Sequence, residues 1–93
     1  MRKSKLPDRP LPELSRSQRD LVDKAIIKAL GLEPVRLDAV VSFVIGYCHD
    51  VIEGGTYEFY LWTGNAMKRL KRYGVIKLVP GLGGGWVLAT KES

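Results

Sequence analysis

Residues 63–90 read TGNAMKRLKRYGVIKLVPGLGGGWVLAT, and this stretch decides the fold. Its N-terminal part places four cations within five positions: Lys68, Arg69, Lys71 and Arg72. Apolar residues recur before and between them at helical spacing, so the pattern predicts a short helix with one face packed inward and the other charged. Such a helix is suited to insertion into a negatively charged partner, and duplex DNA is the leading candidate.

The remainder of the stretch predicts a β-hairpin. Gly74 is expected to end the helix, and residues 75–79 and 85–89 are rich in strand-forming residues. The glycine-rich tip between them, residues 80–85, cannot be helical. The glycine run also suggests a phosphate-binding loop, but such loops need a following helix that opens with Gly-Lys-Ser/Thr, whereas a strand follows here.

The charge of the chain is unevenly distributed. The 93 residues carry a formal net charge of +5, with a pI near 9.6. Residues 1–20 hold six Lys/Arg against three Asp/Glu, residues 21–62 hold three against six, and residues 63–93 hold six against one. The length predicts a single domain. The concentration of cations on one predicted helix creates a local positive field that attracts nucleic acid.

Several other classes of protein are not indicated. The single cysteine, Cys48, excludes an internal disulfide and fits a reducing compartment. No apolar run approaches the ~18–20 residues of a membrane helix, and the proline-rich N-terminus lacks the apolar core of a signal peptide. Cys48, His49 and Asp50 stand together, but one Cys and one His cannot complete a zinc site. We therefore expect no enzyme, no metal, no cofactor and no membrane partner, and a cytoplasmic, nucleoid-associated location.

The predicted domain spans residues 15–90, between a basic N-terminal arm, residues 1–14, and a short tail, residues 91–93. Three prolines and four Lys/Arg in the arm favour a flexible segment, which either keeps the protein soluble or tracks DNA.

A first helix is predicted to follow Ser15, because Ser15 and Gln18 form a capping box ahead of a strong apolar stripe. Gly31 is expected to end this helix as a left-handed C-cap. Arg16 and Arg19 lie in its first turn, where they either contact a phosphate or form part of a solvated face.

The middle of the chain predicts a second helix and an aromatic segment. Asp38 is expected to cap the helix, whose β-branched stripe keeps the 3–4 spacing through Cys48. Residues 35–37 form an extended connector that could pair with the hairpin as a third strand. Residues 57–62, YEFYLW, fit a strand, a loop or an early turn of the third helix. Their rings either fill the core or stack on bases of single-stranded nucleic acid.

Thr63 is the expected N-cap of the third helix. The side chains predicted to face outward from this helix are Asn65, Lys68, Arg69 and Arg72. In a major groove, Asn65 would pair with adenine, and Lys68 or Arg69 with guanine. Lys71 and Arg72, further along the helix, would contact phosphates.

The order of helix, connector, helix, turn, helix and hairpin resembles the winged helix-turn-helix superfamily. This is an α+β fold with a three-helix core and a C-terminal β-hairpin wing. Residues 66–76, AMKRLKRYGVI, look like a recognition helix and its exit, and residues 80–89, PGLGGGWVLA, look like the wing of GntR-type and related regulators. The specific resemblance covers residues 61–89, and the order of elements extends it to residues 15–89.

The resemblance also implies which residues contact DNA. Recognition-helix positions match Thr63, Asn65, Lys68, Arg69 and Arg72. Wing-tip positions match Gly81, Leu82, Gly83 and Gly84. Two features depart from the family's pattern, because the wing tip lacks a Lys or Arg and the segment 50–62 is longer than a tight helix-turn-helix turn.

The sequence therefore predicts sequence-specific binding of double-stranded DNA, with the third helix in the major groove. The chain resembles the stand-alone small transcriptional regulators of phages, archaeal viruses and plasmids. Two alternatives stay open: a winged helix that docks on a protein in a transcription or replication complex, and a protein that binds single-stranded nucleic acid. A homodimer would supply two half-sites and multiply specificity. No effector domain is visible, so no small-molecule effector is expected.

Overall fold

The computed structural model of the protein describes residues 11–31 and 33–89. Within them, the chain forms three helices and a two-stranded antiparallel sheet in the order α1, α2, α3, β1, β2. The elements are α1 Arg16–Ala29, α2 Leu37–Cys48, α3 Thr56–Arg72, β1 Ile76–Val79 and β2 Gly85–Leu88. Each helix packs against the other two, and β1 contacts α3. This α+β arrangement is compatible with a winged-helix layout.

The start of α1 follows the predicted capping box. The backbone N–H of Gln18 donates to Ser15 Oγ at 3.2 Å, and the N–H of Ser15 donates to Gln18 Oε1 at 2.9 Å. The helix ends next to Gly31 as predicted, but the expected left-handed cap is wrong, because Gly31 does not have a positive φ and Leu30 caps the helix in an extended conformation. Leu30 is buried, and the carbonyl of Gly31 accepts a hydrogen bond from the N–H of Leu88. The chain leaves α1 extended because it runs directly towards β2.

The start of α2 lies two residues earlier than predicted. Arg36 is the N-cap, without a side-chain hydrogen bond, and Asp38 lies inside the first turn, so its expected role as cap is wrong. The carbonyl of Arg36 accepts from the N–H of Val40 and closes the first turn. Leu37 is half-buried against the core, which draws it into the helix. Asp38 still places a negative charge near the positive end of the helix dipole.

The third helix is longer than the sequence suggested. It starts at Thr56, where the carboxylate of Glu58 accepts a hydrogen bond from the N–H of Gly55 at 2.9 Å. Thr63 therefore lies in the middle of α3, and its expected role as N-cap is wrong. The reason is the burial of Phe59 and Trp62, which extend the inward stripe of the helix by two turns towards its N-terminus.

The aromatic segment divides between core and surface. Phe59 and Trp62 are buried and meet edge to face, with ring centroids 5.2 Å apart. Tyr57 and Tyr60 point outward and are exposed. The interpretation of these rings as core is thus confirmed for two of the four, and two remain available to solvent.

Residues 11–14, assigned to the N-terminal arm from the sequence, pack on the helices. Leu11 and Leu14 contact the core, and the indole N–H of Trp62 donates to the carbonyl of Pro12 at 2.9 Å. The rest of the predicted arm, residues 1–10, and the predicted tail, residues 91–93, lie outside the described residues.

The hairpin is confirmed to within a residue at its outer ends. Its register pairs Ile76 with Leu88 and Leu78 with Trp86. Gly74 has a φ of 79° and directly follows Tyr73, the C-cap of α3, so the predicted end of this helix is confirmed. The connector supplies one further bridge, in which Val35 and Trp86 exchange both backbone hydrogen bonds, at 2.9 and 2.8 Å.

Two glycines permit the close contacts at the far end of the hairpin. A Cβ at Gly84 would collide with the carbonyl oxygen of Val79, and a Cβ at Gly85 would lie 2.7 Å from the carbonyl oxygen of Val35. Glycine at position 84 therefore allows the hairpin tip to close against β1. Glycine at position 85 allows the connector and β2 to approach each other closely.

Cys48 belongs to the core, as the sequence suggested. It is fully buried, and desolvation raises the pKa of its thiol. Burial makes the reactive thiolate unfavourable, which is typical of a structural cysteine.

None of the described helices has the length and apolar character needed to cross a membrane.

Candidate nucleic-acid interface

Three cations line the solvent side of the C-terminal half of α3. They are Lys68, Lys71 and Arg72, and together they form what we call the basic face. All three are exposed. Within residues 11–31 and 33–89, no carboxylate lies within 4.0 Å of their charged groups. Their charges are therefore available to an external anion.

Arg69 does not belong to this face. Its guanidinium donates to the Asp23 carboxylate of α1 at 2.6 Å, and both side chains are partly shielded from solvent. The expected role of Arg69 as an outward, guanine-reading residue conflicts with this pair. The reason is the helix phase, since Arg69 lies at the border between the buried side of α3 and α1. Its charge ties α3 to α1 and is already neutralised.

Thr63 is also displaced from the predicted interface. Its relative exposure is 0%, and its hydroxyl has no hydrogen-bond partner among the described residues. A fully buried side chain cannot contact DNA, so its expected place in the recognition set is wrong. By contrast, Asn65 is exposed two residues later and keeps its amide on the surface.

A groove of about 330 Å³ runs between α3 and β2. We call it the Gly64 groove. Its principal lining residues are Leu37, Tyr60, Gly64, Asn65, Lys68 and Trp86. Gly64 forms part of the floor, and a Cβ built there would meet no atom within 4 Å. Among the described residues, none that lines the groove is acidic. The groove therefore joins an apolar and aromatic lining to an amide and an ammonium group.

Lys71 connects the basic face to the hairpin. Its Nζ lies 6.0 Å from the centre of the Trp86 ring, at the outer limit of a cation–π contact. Trp86 therefore lies between Lys71 and the groove, and no local sequence signal indicated that this residue lies near α3.

Of the two α1 arginines that were predicted to contact DNA, one shares a cavity with α3. Arg16 and Arg19 are both exposed near the start of α1. Arg19 lines a second cavity, of about 250 Å³, together with Asn65, Arg69 and the segment 11–14. The structure therefore brings Arg19 and Asn65 to one cavity. It gives Arg16 no comparable contact with α3.

The tip of the β1–β2 hairpin, predicted to be a wing tip, presents backbone and one apolar side chain. The N–H of Gly84 donates to the carbonyl of Gly81 at 3.0 Å, which closes the tip, and Gly83 lies between them on the surface. Leu82 is fully exposed, with a relative exposure of 104%. The nearest hairpin cation in the sequence is Lys77 of β1, which is exposed and was not among the predicted contacts.

Sequence reasoning missed Tyr60, Gly64 and Trp86 as members of a common site. The first two and Lys68 follow one another at intervals of four residues, which places them on the same side of a continuous helix. This spacing was visible in the sequence, but it became informative only with α3 extended back to Thr56. The link to Trp86 needs the three-dimensional path of the hairpin.

The outward side of α2 has a different character. The rings of Phe43 and Tyr47 stack at 6.0 Å with an interplanar angle of 17°, and both are exposed. Gly46 lies beside them, and a Cβ there would also meet open space. No Lys or Arg occurs between residues 37 and 48.

No family model matches the chain, and searches of the curated proteins and of the solved structures find no match either. In the part of the chain that the structure describes, no group of three or more His, Cys, Asp or Glu side chains is placed to hold a metal ion. The geometry of α3 and the hairpin is therefore the basis for assigning a function.

Proposed function

We propose that the protein binds double-stranded DNA as a small winged-helix regulator, with the outward side of α3 in the major groove. The observation that carries this proposal is the basic face, because its three cations are exposed and lack a carboxylate partner among the described residues. A cluster of unpaired cations on one helix is the electrostatic feature that a polyphosphate backbone recognises.

The contacts divide by chemistry. Lys71 and Arg72, at the C-terminal end of α3, reach phosphates on one side of the groove, and Arg19 of α1 supplies a further cation. Asn65 offers the amide donor and acceptor that pair bidentately with adenine, and Lys68 is placed one turn further along the helix for guanine. Phosphate contacts supply most of the affinity, whereas Asn65 and Lys68 supply the preference for sequence.

The wing contributes in a way that differs from a basic wing. Gly81 and Gly83 can donate backbone N–H groups to phosphates, whereas the N–H of Gly84 is already bonded to Gly81 and only its Cα and carbonyl can approach DNA. Leu82 adds an apolar contact. A wing without cations lowers the number of ion pairs with DNA. The salt dependence should reflect this lower number.

A titration of binding against salt tests the proposal. If α3 and α1 together neutralise about four or five phosphates, log affinity falls with log salt at a slope of about −4. Selection of bound duplexes from a random pool at physiological salt then tests the reading of sequence. A slope near zero would contradict DNA binding, and a steep slope without an enriched motif would limit the protein to nonspecific binding.

A protein-docking role is the second candidate, and the exposed Phe43–Tyr47 stack on α2 favours it. The simplest partner is a second copy of the chain, since an uncharged face can meet itself without like-charge repulsion. Sedimentation velocity over a range of concentrations tests this. A dimer that disappears in the Phe43→Ser/Tyr47→Ser variant would support docking through α2, and a monomer at all concentrations would exclude self-association.

A further inference from the structure

We infer that the Gly64 groove accepts one unpaired nucleobase from a DNA strand whose phosphates lie along the basic face. The inference rests on the proposed function, since it assumes that DNA reaches α3. It adds the form of DNA that the protein prefers, which is duplex that carries an unpaired nucleotide.

The size of the groove fits a planar ring system with its sugar. At about 330 Å³, it lies at the lower end of the range of small-molecule sites. A base inside an intact duplex presents only its edge to the major groove, so its flat faces are covered by neighbouring bases. A base must therefore leave the stack before its flat face can enter the groove.

The walls of the groove suit the flat face of a base. Tyr60 is 46% exposed on the α3 side, and Trp86 is half-buried on the β2 side. Leu37 and Met67 add an apolar floor. Stacking of a base on an aromatic side chain is favourable and is available to every base.

The rim of the groove suits the edge of a base and the strand that carries it. The amide of Asn65 provides one donor group and one acceptor group for the exposed edge. Lys68 lines the groove and also begins the basic face, so a base in the groove would place its phosphate near this face. In the part of the chain that the structure describes, no carboxylate lines the groove to repel that phosphate.

Gly64 contributes to the shape of the groove. A glycine within a helix destabilises the helix relative to alanine. Among the described residues, no atom lies within 4 Å of a Cβ built at position 64, so packing inside the protein does not account for a glycine here. The missing side chain deepens the groove between Tyr60 and Lys68, which is the effect that a flat ligand needs.

The test compares three DNA duplexes of the same sequence. One is fully paired, one carries a single extra unpaired thymine, and one carries an abasic residue in place of that thymine. We expect the unpaired thymine to tighten binding about tenfold relative to the paired duplex, from the stacking energy of one base. The abasic duplex has the same flexible backbone without a base, and we expect it to bind like the paired duplex.

Two variants assign the effect to the groove. Gly64→Leu fills the floor, and Tyr60→Ala removes a wall, so either variant should reduce the ratio of the two affinities, unpaired to paired, to about one. Gly46→Leu is the matched control, because it adds the same side chain to an exposed helix glycine on α2 and should keep the tenfold ratio. Thermal melting of each variant checks that it is folded.

The outcomes separate this inference from the proposed function. Equal affinity of the wild type for the paired and unpaired duplexes, tight binding of the abasic duplex, or a ratio that persists in both groove variants would overturn the inference. In each case, salt-dependent binding of the paired duplex would still support the proposed function. Loss of all DNA binding would instead overturn the proposed function.

Discussion

The exposed sides of α2 and α3 share two features but differ in charge. Each helix contains a glycine, Gly46 or Gly64, with no neighbouring atom within 4 Å of a Cβ built there, and each has exposed aromatic rings. On α2 the rings of Phe43 and Tyr47 stand without any neighbouring Lys or Arg on the helix. On α3, Gly64 lies one helical turn before Lys68, the first residue of the basic face. Exposed apolar surface alone therefore does not mark a nucleic-acid interface, and the placement of charge distinguishes the two helices.

The contrast also clarifies the charge distribution of the chain. The acidic middle, residues 21–62, includes the whole of α2, whereas the strongly basic segment starts within α3. A polyanion would therefore meet a favourable field on one side of the protein and an unfavourable one on another. Orientation on DNA would follow from this asymmetry before any specific contact forms.

The largest expected effect tests whether the basic face alone carries DNA affinity. We expect the variant with Lys68, Lys71 and Arg72 all changed to Ala to bind its cognate site about 100-fold more weakly at 0.15 M salt. Lys71 and Arg72 each lose a phosphate contact that contributes roughly fivefold there, and Lys68 loses its contact with a base. The slope of log affinity against log salt should become shallower by about two units, one for each lost phosphate contact. Fluorescence anisotropy with a duplex of about 12 base pairs, slightly more than one helical turn, measures both quantities.

The matched control for this prediction is Phe43→Ser/Tyr47→Ser on α2, which should retain wild-type affinity within about twofold, because solvated side chains away from the interface have small effects. If the α2 variant weakened binding as much as the α3 variant, the contrast between the two helices would be wrong.

The next largest effect concerns the cation of α3 that is already paired. Arg69→Ala leaves the partly buried Asp23 without its partner, so we expect the free energy of unfolding to fall by about 1–2 kcal/mol, between the values for exposed and buried ion pairs. Urea unfolding measures this, and Asp23→Ala with the double variant completes a cycle. A stable Arg69→Ala protein that has lost its preference for a DNA sequence would restore Arg69 to the reading of bases.

A smaller effect is expected on the buried side of α3. Thr63→Val replaces an unpartnered buried hydroxyl with a methyl group of similar size, and we expect stability to rise by about 1 kcal/mol because the desolvation penalty of the hydroxyl is removed. DNA affinity should not change. A loss of affinity in a fully folded Thr63→Val protein would show that this side of α3 does take part in binding.

The smallest effect tests whether the glycine of α2 is free of constraint. Gly46→Ala should raise the midpoint of thermal unfolding, equivalent to about 0.5–1 kcal/mol, because alanine is the better helix former and its Cβ meets no neighbour. A destabilised Gly46→Ala protein would instead indicate that α2 packs more tightly at this point than the structure shows.

Much of the fold was predictable because its signals are local. The capping box at Ser15, the end of α3 near Gly74 and the two strands each depend on residues within a few positions of one another. The single bridge between Val35 and Trp86 was also anticipated as an extra strand pairing. The α+β class follows from these elements without knowledge of how they pack.

The errors arose where tertiary contacts override local preference. Thr63 is a good N-cap residue, but the burial of Phe59 and Trp62 extends α3 past it and places Thr63 in the core. Arg69 is one of four similar cations in the sequence, and only the approach of α1 shows that Asp23 neutralises it. The candidate site depends on the same long-range information, because its groove is built from two helices and a strand.

The indole of Trp86 gives the groove an intrinsic optical reporter. The chain has two tryptophans, and Trp62 is buried with its N–H bonded to the carbonyl of Pro12. Trp86 lines the groove and is more accessible to solvent. A stacked base would quench the emission of the accessible fluorophore and leave the shielded one almost unchanged. Occupancy of the groove can therefore be followed in the unlabelled wild-type protein.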